Sequence, residues 1–360
     1  MTKTKNAEAN PSSKPRVRPA ARPGAAAAPV TLDQVAARAG VSPSTVSRIL
    51  NGSAVVSELK RQNVSKAIAD LGFVPNPVAR GLAGGRTLSV GVITQAIDSP
   101  FYGGALRGVE EELGRANYNA LFVSGHWDGE TEARCIGTLR ARRVDGIIVF
   151  TGRLSDAVLR ATAKSLPLVV TGRTLRAPRL YSLNFDNTVG ARLATEHLLS
   201  LGHRRIAFIA GDPLHPDARE REHGYRAALA AAGVAYDPAL VAPGWFHEQS
   251  GQAAVERLLA DGVRFTAVFA ANDQMAAGAA LALHQHGLSV PRDVSLVGFD
   301  DLPSSTFSIP PLTTVHQPMQ ELGRLAAQAM LDLLAGRTPT VQMRPPILVA
   351  RDSTAPARTG

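Results

Sequence analysis

Beyond Gly85 the sequence alternates short, β-rich apolar runs with stretches that have the pattern of amphipathic helices. The apolar runs are 88–93, 120–123, 146–150, 168–170, 206–209, 267–269 and 294–297. Continuous apolar strands that alternate with helices are typical of parallel sheets covered on both faces. About 275 residues is too long for one compact sheet of this kind, so we predict two similar lobes with a cleft between them.

A different pattern, three short helices, precedes the alternating part. Thr31 and Gln34 have the spacing of a capping box, in which the two side chains satisfy free amides at the start of a helix. Ser42, followed by proline, begins a second helix, and Ser57 caps a third. The first two helices are predicted to end at about residues 39 and 50, and the third at Gly72. Two short helices joined by a tight turn, with a third closing the core, form a helix-turn-helix head.

The net charge of +9 comes entirely from this end of the 360-residue chain. Residues 1–86 hold 13 Lys and Arg against 4 Asp and Glu, whereas residues 87–360 hold 26 of each class. A basic segment on a neutral body is the electrostatic footprint of a head that binds a polyanion. Residues 1–29 are basic, rich in Ala and Pro, and without apolar periodicity, so we predict a disordered extension there.

The second predicted helix presents small polar side chains and one arginine, which suits contact with DNA. Hydroxyls of Ser44, Thr45 and Ser47 can reach phosphates or base edges, and Arg48 can read a guanine with two hydrogen bonds. Val46 and its apolar neighbours are available for the inner face. The alternative interpretation is a three-helix packing module that touches no nucleic acid.

These segments resemble a known family. Residues 30–36 (VTLDQVA), 39–48 (AGVSPSTVSR) and 51–52 (NG) look like the DNA-binding head of the lactose-repressor and galactose-repressor family of bacterial transcription regulators. The likeness continues with 73–80 (FVPNPVAR), similar to the family's hinge, and with 272–276 (NDQMA), 297–301 (VGFDD) and 311–315 (PLTTV), similar to C-terminal-lobe signatures. Matches in order over most of the chain are far more specific than any single one.

The resemblance implies a small all-α head and an α/β body with two lobes, like the periplasmic sugar-binding proteins. The predicted domains are a disordered basic extension (1–29), a DNA-binding head (30–75), a hinge helix or linker (76–86), a two-lobed ligand-binding and dimerisation domain (87–345) and a C-terminal tail (346–360).

By the same resemblance, the heads of a homodimer would read the two halves of a near-palindromic operator in double-stranded DNA. In the family the residue matching Leu82 wedges between base pairs in the minor groove, which is sound chemistry for kinking a duplex; the alternative is that Leu82 is a plain linker residue. The predicted DNA contacts are Thr31, Leu32, Ser42, Pro43, Ser44, Thr45, Ser47, Arg48, Asn51, Ala79, Arg80 and Leu82.

Polar and aromatic residues also follow the predicted strands, at the edge where open α/β sheets bind ligands. The resemblance implies that an effector is bound by Phe101, Tyr102, Arg173, Arg221, Phe246, Asn272, Asp300 and Gln317. Aromatic faces beside carboxylate, amide and guanidinium groups suit a polyhydroxylated ring, so we predict a sugar or sugar derivative. Gly172 departs from the pattern, because related sugar binders often carry aspartate there.

The ordinary alternatives are structural: Phe101 and Phe246 as core aromatics, Asp300 as a turn or cap residue, and Arg221 as a surface charge. Two other functions also stay open. One is a sugar-binding protein whose head has lost DNA binding, and the other is a regulator of the same family that responds to a protein partner.

Several function classes lack their sequence signals. Neither a phosphate-binding GxxxxGK[ST] loop nor an HExxH or GxSxG pattern occurs, so we predict no enzymatic activity, no cofactor and no metal. Cys135 is alone and cannot form an internal disulfide, and no apolar run approaches the roughly 20 residues that a membrane span needs. We therefore expect a cytoplasmic, nucleoid-associated repressor of genes for carbohydrate uptake or catabolism.

Overall fold

A computed structural model of the chain describes residues 2, 30–50, 56–73 and 86–358. The chain divides into two units, residues 1–83 and residues 84–360, and each is described by itself. Within the described ranges, no helix is long and apolar enough to span a membrane.

The first unit contains the three predicted helices, α1 (Leu32–Ala39), α2 (Pro43–Leu50) and α3 (Glu58–Leu71). The capping box is formed: the backbone N–H of Gln34 donates to Thr31 Oγ1, and the backbone N–H of Thr31 donates to Gln34 Oε1 at 2.8 Å. Ser57 precedes α3, but its hydroxyl makes no capping hydrogen bond. The core of this unit consists of Val35, Ala36, Ala39, Val46, Val64 and Ala67.

The second unit contains two lobes, as predicted. The N-terminal lobe is a five-stranded parallel sheet in the order β2-β1-β3-β4-β5. Its strands are β1 (Ser89–Thr94), β2 (Asn119–Ser124), β3 (Gly146–Val149), β4 (Leu168–Thr171) and β5 (Leu180–Leu183). Its helices are α4 (Pro100–Arg115), α5 (Gly129–Ala141) and α6 (Asp156–Ala163), with α12 (Met319–Leu334) returning to this lobe.

The two faces of this sheet are both buried, which explains its uninterrupted apolar strands. On one face Val90, Val92 and Ile148 pack against α4 and α12, and on the other Ile93 and Ile147 pack against α5 and α6.

The C-terminal lobe is a four-stranded parallel sheet in the order β7-β6-β8-β9. Its strands are β6 (Ile206–Ile209), β7 (Val241–Ala242), β8 (Ala267–Ala270) and β9 (Ser295–Val297). Its helices are α7 (Asn187–Ser200), α8 (Pro216–Ala231), α9 (Glu248–Ala260), α10 (Asp273–Gln285) and the short α11 (Pro303–Thr306).

The last part of the chain differs from the predicted tail at 346–360. Strand β11 (Ile347–Val349) pairs antiparallel with β10 (Thr314–His316), and Ser353 joins the edge of the parallel sheet. The Ser353 hydroxyl donates to the Leu296 carbonyl at 2.6 Å and accepts the Thr313 N–H at 2.8 Å. An apolar run beside an unpaired strand edge gains these hydrogen bonds by docking, so residues 347–357 form part of the C-terminal lobe.

Candidate functional site

The head presents the predicted polar surface on and just before α2. Ser42 Oγ accepts the Thr45 N–H at 3.2 Å, so it caps α2, and it lies 2.9 Å from both Ser44 Oγ and Thr45 Oγ1. Val46 is buried in the core, with Ile49 and Leu50 packed against it. This inner face turns the hydroxyl cluster outward.

Five of the other predicted DNA contacts lie within the described residues, and the rest lie outside them. Thr31, Pro43 and Arg48 are exposed, while Leu32 and Ser47 are half-buried. Asn51, Ala79, Arg80, Leu82 and nearly all of the predicted hinge lie outside the described residues.

A cavity of about 440 Å³ opens between the two lobes of the second unit. Its walls come from loops that follow strands β1, β2, β6, β7, β8 and β9, so the carboxyl ends of both sheets face it. The lining residues are Ala96, Asp98, Ser99, Pro100, Phe101, Tyr102, Trp127, Asp212, His215, Asp217, Arg221, Trp245, Phe246, His247, Asn272, Gln274 and Asp300. The volume is within the range of about 300–1,000 Å³ typical of small-molecule sites.

Arg221 is the centre of a buried polar cluster on the C-terminal-lobe side of the cavity. Its Nε donates to Asn187 Oδ1 at 3.0 Å and its Nη2 donates to Gln317 Oε1 at 3.1 Å. Its Nη1 donates to the Ala271 carbonyl and lies 3.3 Å from Asp300 Oδ1. The guanidinium carbon lies 3.8 Å from the centre of the Phe299 ring, an arrangement that favours a cation over an aromatic face.

Burial raises the pKa of Asp300 well above its ordinary value, an effect that the positive charge of Arg221 opposes. Asp300 has a positive φ of 109°, and Phe246 one of 61°. Strained backbone of this kind costs about 1–3 kcal/mol per residue and is concentrated at functional sites. Phe246 takes its position because Gly211 leaves room: a Cβ there would lie 2.0 Å from Phe246 Cζ.

Asp217 and His215, at the start of α8, both present polar atoms to the cavity. Asp217 Oδ1 is buried without a hydrogen-bond partner, and burial raises the pKa of this carboxyl. His215 Nδ1 accepts the Asp217 N–H at 3.2 Å, which assigns the ring hydrogen to Nε2. Burial, and secondarily the Arg221 charge, lower the pKa of His215 to about 3, so the ring is neutral. One acceptor and one donor are thus offered to a bound molecule.

Replacing His215 with asparagine keeps a helix-capping side chain but removes the titrating ring. Because the His215 pKa is about 3 in the folded protein and 6.5 in the unfolded chain, the unfolded chain binds the extra proton between these values. Wild-type stability is lost as the pH falls below 6.5, by about 2 kcal/mol at pH 5 relative to pH 7. Urea unfolding of both proteins at the two pH values should show that difference; equal pH profiles would contradict a neutral His215.

Two contacts join the lobes beside the cavity. The Trp127 ring lies 4.3 Å from the His215 ring, centre to centre, and Arg153 Nη2 pairs with Asp212 Oδ2 at 2.7 Å. Trp127 and Arg153 belong to the N-terminal lobe, and His215 and Asp212 to the other. A molecule in the cavity is therefore positioned to affect how the lobes close.

The cavity brings together six of the eight predicted effector contacts: Phe101, Tyr102, Arg221, Phe246, Asn272 and Asp300. Gln317 instead accepts a hydrogen bond from Arg221 and lines a second, smaller cavity that shares Phe101 and Tyr102. Arg173 donates to the carbonyl oxygens of Leu154 and Gly152 and lines a neighbouring cavity.

The backbone conformation of Gly172 and its close contact with Thr151 disfavour any side chain at this position, including the aspartate common in related sugar binders. Its φ is +69°, and a Cβ at this position would lie 1.9 Å from Thr151 Oγ1. Gly172 and Asp217 line the second, smaller cavity together, so Asp217 supplies a carboxylate near this position.

Sequence reasoning assigned no role in the site to Trp127, Trp245, His215 or Asp217. The signal was available for Trp127, because it follows β2 at the same sheet edge as the predicted residues. Trp245 follows β7, whose two residues are too few to detect from a pattern. In the parts that the structure describes, no cluster of three or more His, Cys, Asp and Glu side chains is arranged to hold a metal.

The second unit has the two lobes and the polar, aromatic cavity of a ligand-binding protein. The first unit has the helix-turn-helix arrangement found in nucleic-acid-binding proteins. The model of bacterial regulatory proteins of the lacI family matches residues 31–76, and that of the periplasmic binding protein-like domain matches residues 195–354. The chain belongs to the lacI family of bacterial regulatory proteins.

Individual relatives match almost the full chain. The HTH-type transcriptional regulator CelR of Thermobifida fusca is 39% identical over 316 residues, covering 86% of this chain and 93% of the relative. The ribose operon repressor of Haemophilus influenzae is 34% identical over 301 residues, covering 84% and 91%. Among solved structures, a lac repressor dimer bound to operator and the anti-inducer ONPF has a TM-score of 0.83 at 34% identity, covering 91% of this chain and 99% of that one.

Proposed function

We propose that this protein is a homodimeric transcription repressor whose heads bind operator DNA and whose cavity binds a sugar that changes the DNA affinity. The observation that carries the proposal is Asp217 Oδ1, a buried acceptor without a hydrogen-bond partner among the described residues, in a cavity that also holds the His215 Nε2–H donor and aromatic walls. A sugar hydroxyl both donates and accepts, and its C–H face packs on aromatic rings.

The relatives support the same function. A CelR structure is a complex with cellobiose, with a TM-score of 0.68 at 36% identity, and the lac repressor neighbour is a dimer on its operator. We infer action inside the cell on nucleoid DNA, without enzymatic activity. Regulation of carbohydrate uptake or catabolism genes follows from a sugar effector.

The sugar site can be tested by intrinsic fluorescence, because both tryptophans of the chain line the cavity. Titration with cellobiose, galactose and ribose should give a saturable change in tryptophan emission with at least one sugar. Trp127→Phe and Trp245→Phe separate the two emitters. Unchanged emission with every sugar, in protein that still binds DNA, would favour a protein partner as the effector.

Arg48→Ala tests the head. If Arg48 reads a guanine, the variant should lose about 1–3 kcal/mol of operator affinity and tolerate other bases at one position of the site. Binding to a set of operator variants measures both effects. An equal loss of affinity on every sequence would make Arg48 a phosphate contact. Arg38→Ala, which removes an arginine from α1 of the same head, is the matched control.

A further inference from the structure

The walls of the effector cavity carry an excess of acidic groups. Four carboxyl groups, Asp98, Asp212, Asp217 and Asp300, line it beside a single guanidinium, that of Arg221. Asp212 is paired with Arg153 and Asp300 with Arg221, so Asp98 and Asp217 are the carboxyl groups outside these ion pairs. His215 is neutral because Nδ1 accepts a hydrogen bond in a buried position. Burial is the main cause of the raised pKa of Asp300, Arg221 opposes it, and the negative charges of Asp273 and Asp217 raise this pKa further.

Three of the five N–H groups of the Arg221 guanidinium already donate to the protein. Arg221 is 2% exposed, and each of its three nitrogens is engaged, by Asn187, by Gln317, and by the Ala271 carbonyl together with Asp300. A phosphate group needs free donors, commonly the fork of an arginine. A phosphate at Arg221 would compete with Asp300 and with the Ala271 carbonyl for the guanidinium.

Other arginines near the cleft open onto a separate cavity. Arg153, Arg173 and Arg219 line that neighbouring space together with Asp156 and Glu220. Arg153 is paired with Asp212 and Arg173 donates to backbone carbonyls, while Arg219 donates to the Pro213 carbonyl at 3.2 Å. None of the three lines the effector cavity.

We propose that the effector is an uncharged sugar and that the carboxylates of the cavity reject its phosphorylated form. This inference rests on the proposed sugar site and names the class of sugar. A phosphate ester carries between one and two negative charges near neutral pH, and repulsion between like charges, here from Asp98 and Asp217, is a general means of specificity. Neutral hydroxyls, in contrast, donate to the same carboxylates. Asp98 is the exposed member of the four and lies on the loop that precedes α4.

Tryptophan fluorescence with matched pairs tests this inference: glucose and glucose 6-phosphate, galactose and galactose 6-phosphate, and cellobiose with its 6′-phosphate. The neutral member of one pair should bind, and its phosphate ester should bind at least about 100-fold more weakly. Asp98→Asn should reduce the ratio of the two affinities about five-fold. In the wild type, added salt should also reduce this ratio, because ions screen the repulsion. Asp156→Asn, which removes a carboxylate from the neighbouring cavity, should leave the ratio unaltered.

The outcomes separate this inference from the proposed function. An ester that binds as tightly as its neutral sugar, or more tightly, overturns the inference and leaves a sugar-responsive regulator standing. Binding of neither member of any pair overturns the sugar site, and the inference falls with it.

Discussion

Replacing Arg221 with methionine is expected to destabilise the unit formed by residues 84–360 by about 3–5 kcal/mol and to abolish effector binding. Methionine fills much of the same space but leaves Asp300, whose side chain is 3% exposed, without its ion-pair partner. Asn187, Gln317 and the Ala271 carbonyl lose their donor at the same time. Urea unfolding followed by tryptophan emission measures the change in stability.

Two further variants are needed to interpret the result for Arg221→Met. Asp300→Asn combined with Arg221→Met removes the unpaired charge and should recover part of the lost stability, as expected for residues that interact directly. Arg219→Met, two residues away on the same helix, removes an exposed guanidinium and should cost less than about 0.5 kcal/mol. An Arg221→Met protein within 1 kcal/mol of the wild type would contradict the account of this cluster.

Asp217→Asn is expected to change stability and effector affinity in opposite directions. The pKa of Asp217 is raised by burial, so above its ordinary pKa the ionised carboxyl destabilises the folded protein. A neutral amide removes that cost, so we expect the folded variant to be more stable than the wild type at pH 7. The effector loses a charge-assisted acceptor, which should weaken binding about 10–100-fold.

Thermal unfolding and fluorescence titration of Asp217→Asn give the two quantities on one protein. Glu222→Gln is the matched control, because it neutralises a carboxylate of the same helix that pairs with Arg226 and does not line the cavity. Loss of stability in Asp217→Asn without a change in effector affinity would assign Asp217 a structural role.

The elements predicted with most success have strong local causes. The head helices begin and end at a capping box, a Ser-Pro pair and glycines, and these act within a few residues. The long apolar strands are recognisable because both sheet faces are buried. Strand β7, with two residues, and strand β11, which pairs with a distant segment, depend on tertiary contacts that no local pattern encodes.

The same distinction between local patterns and tertiary contacts applies to the residues of the site. The position of Asp300 after β9 and of Asn272 after β8 could be predicted, since the carboxyl ends of parallel strands meet at one edge. The direction of Arg173 could not, because it is decided by the carbonyl oxygens of residues 152 and 154. Trp127 reaches the cavity through a turn with a positive φ of 54°, a conformation that its residue type does not suggest.

The measurement that bears most directly on the central claim is binding of the full chain to the DNA that flanks its own gene, with and without a saturating sugar from the fluorescence titration. We predict a specific, salt-sensitive complex whose affinity changes at least about ten-fold with the sugar in the wild type. At the same sugar concentration Asp217→Asn should bind the DNA alone as the wild type does and respond much less. A DNA affinity that stays the same while the sugar saturates the cavity would contradict the account.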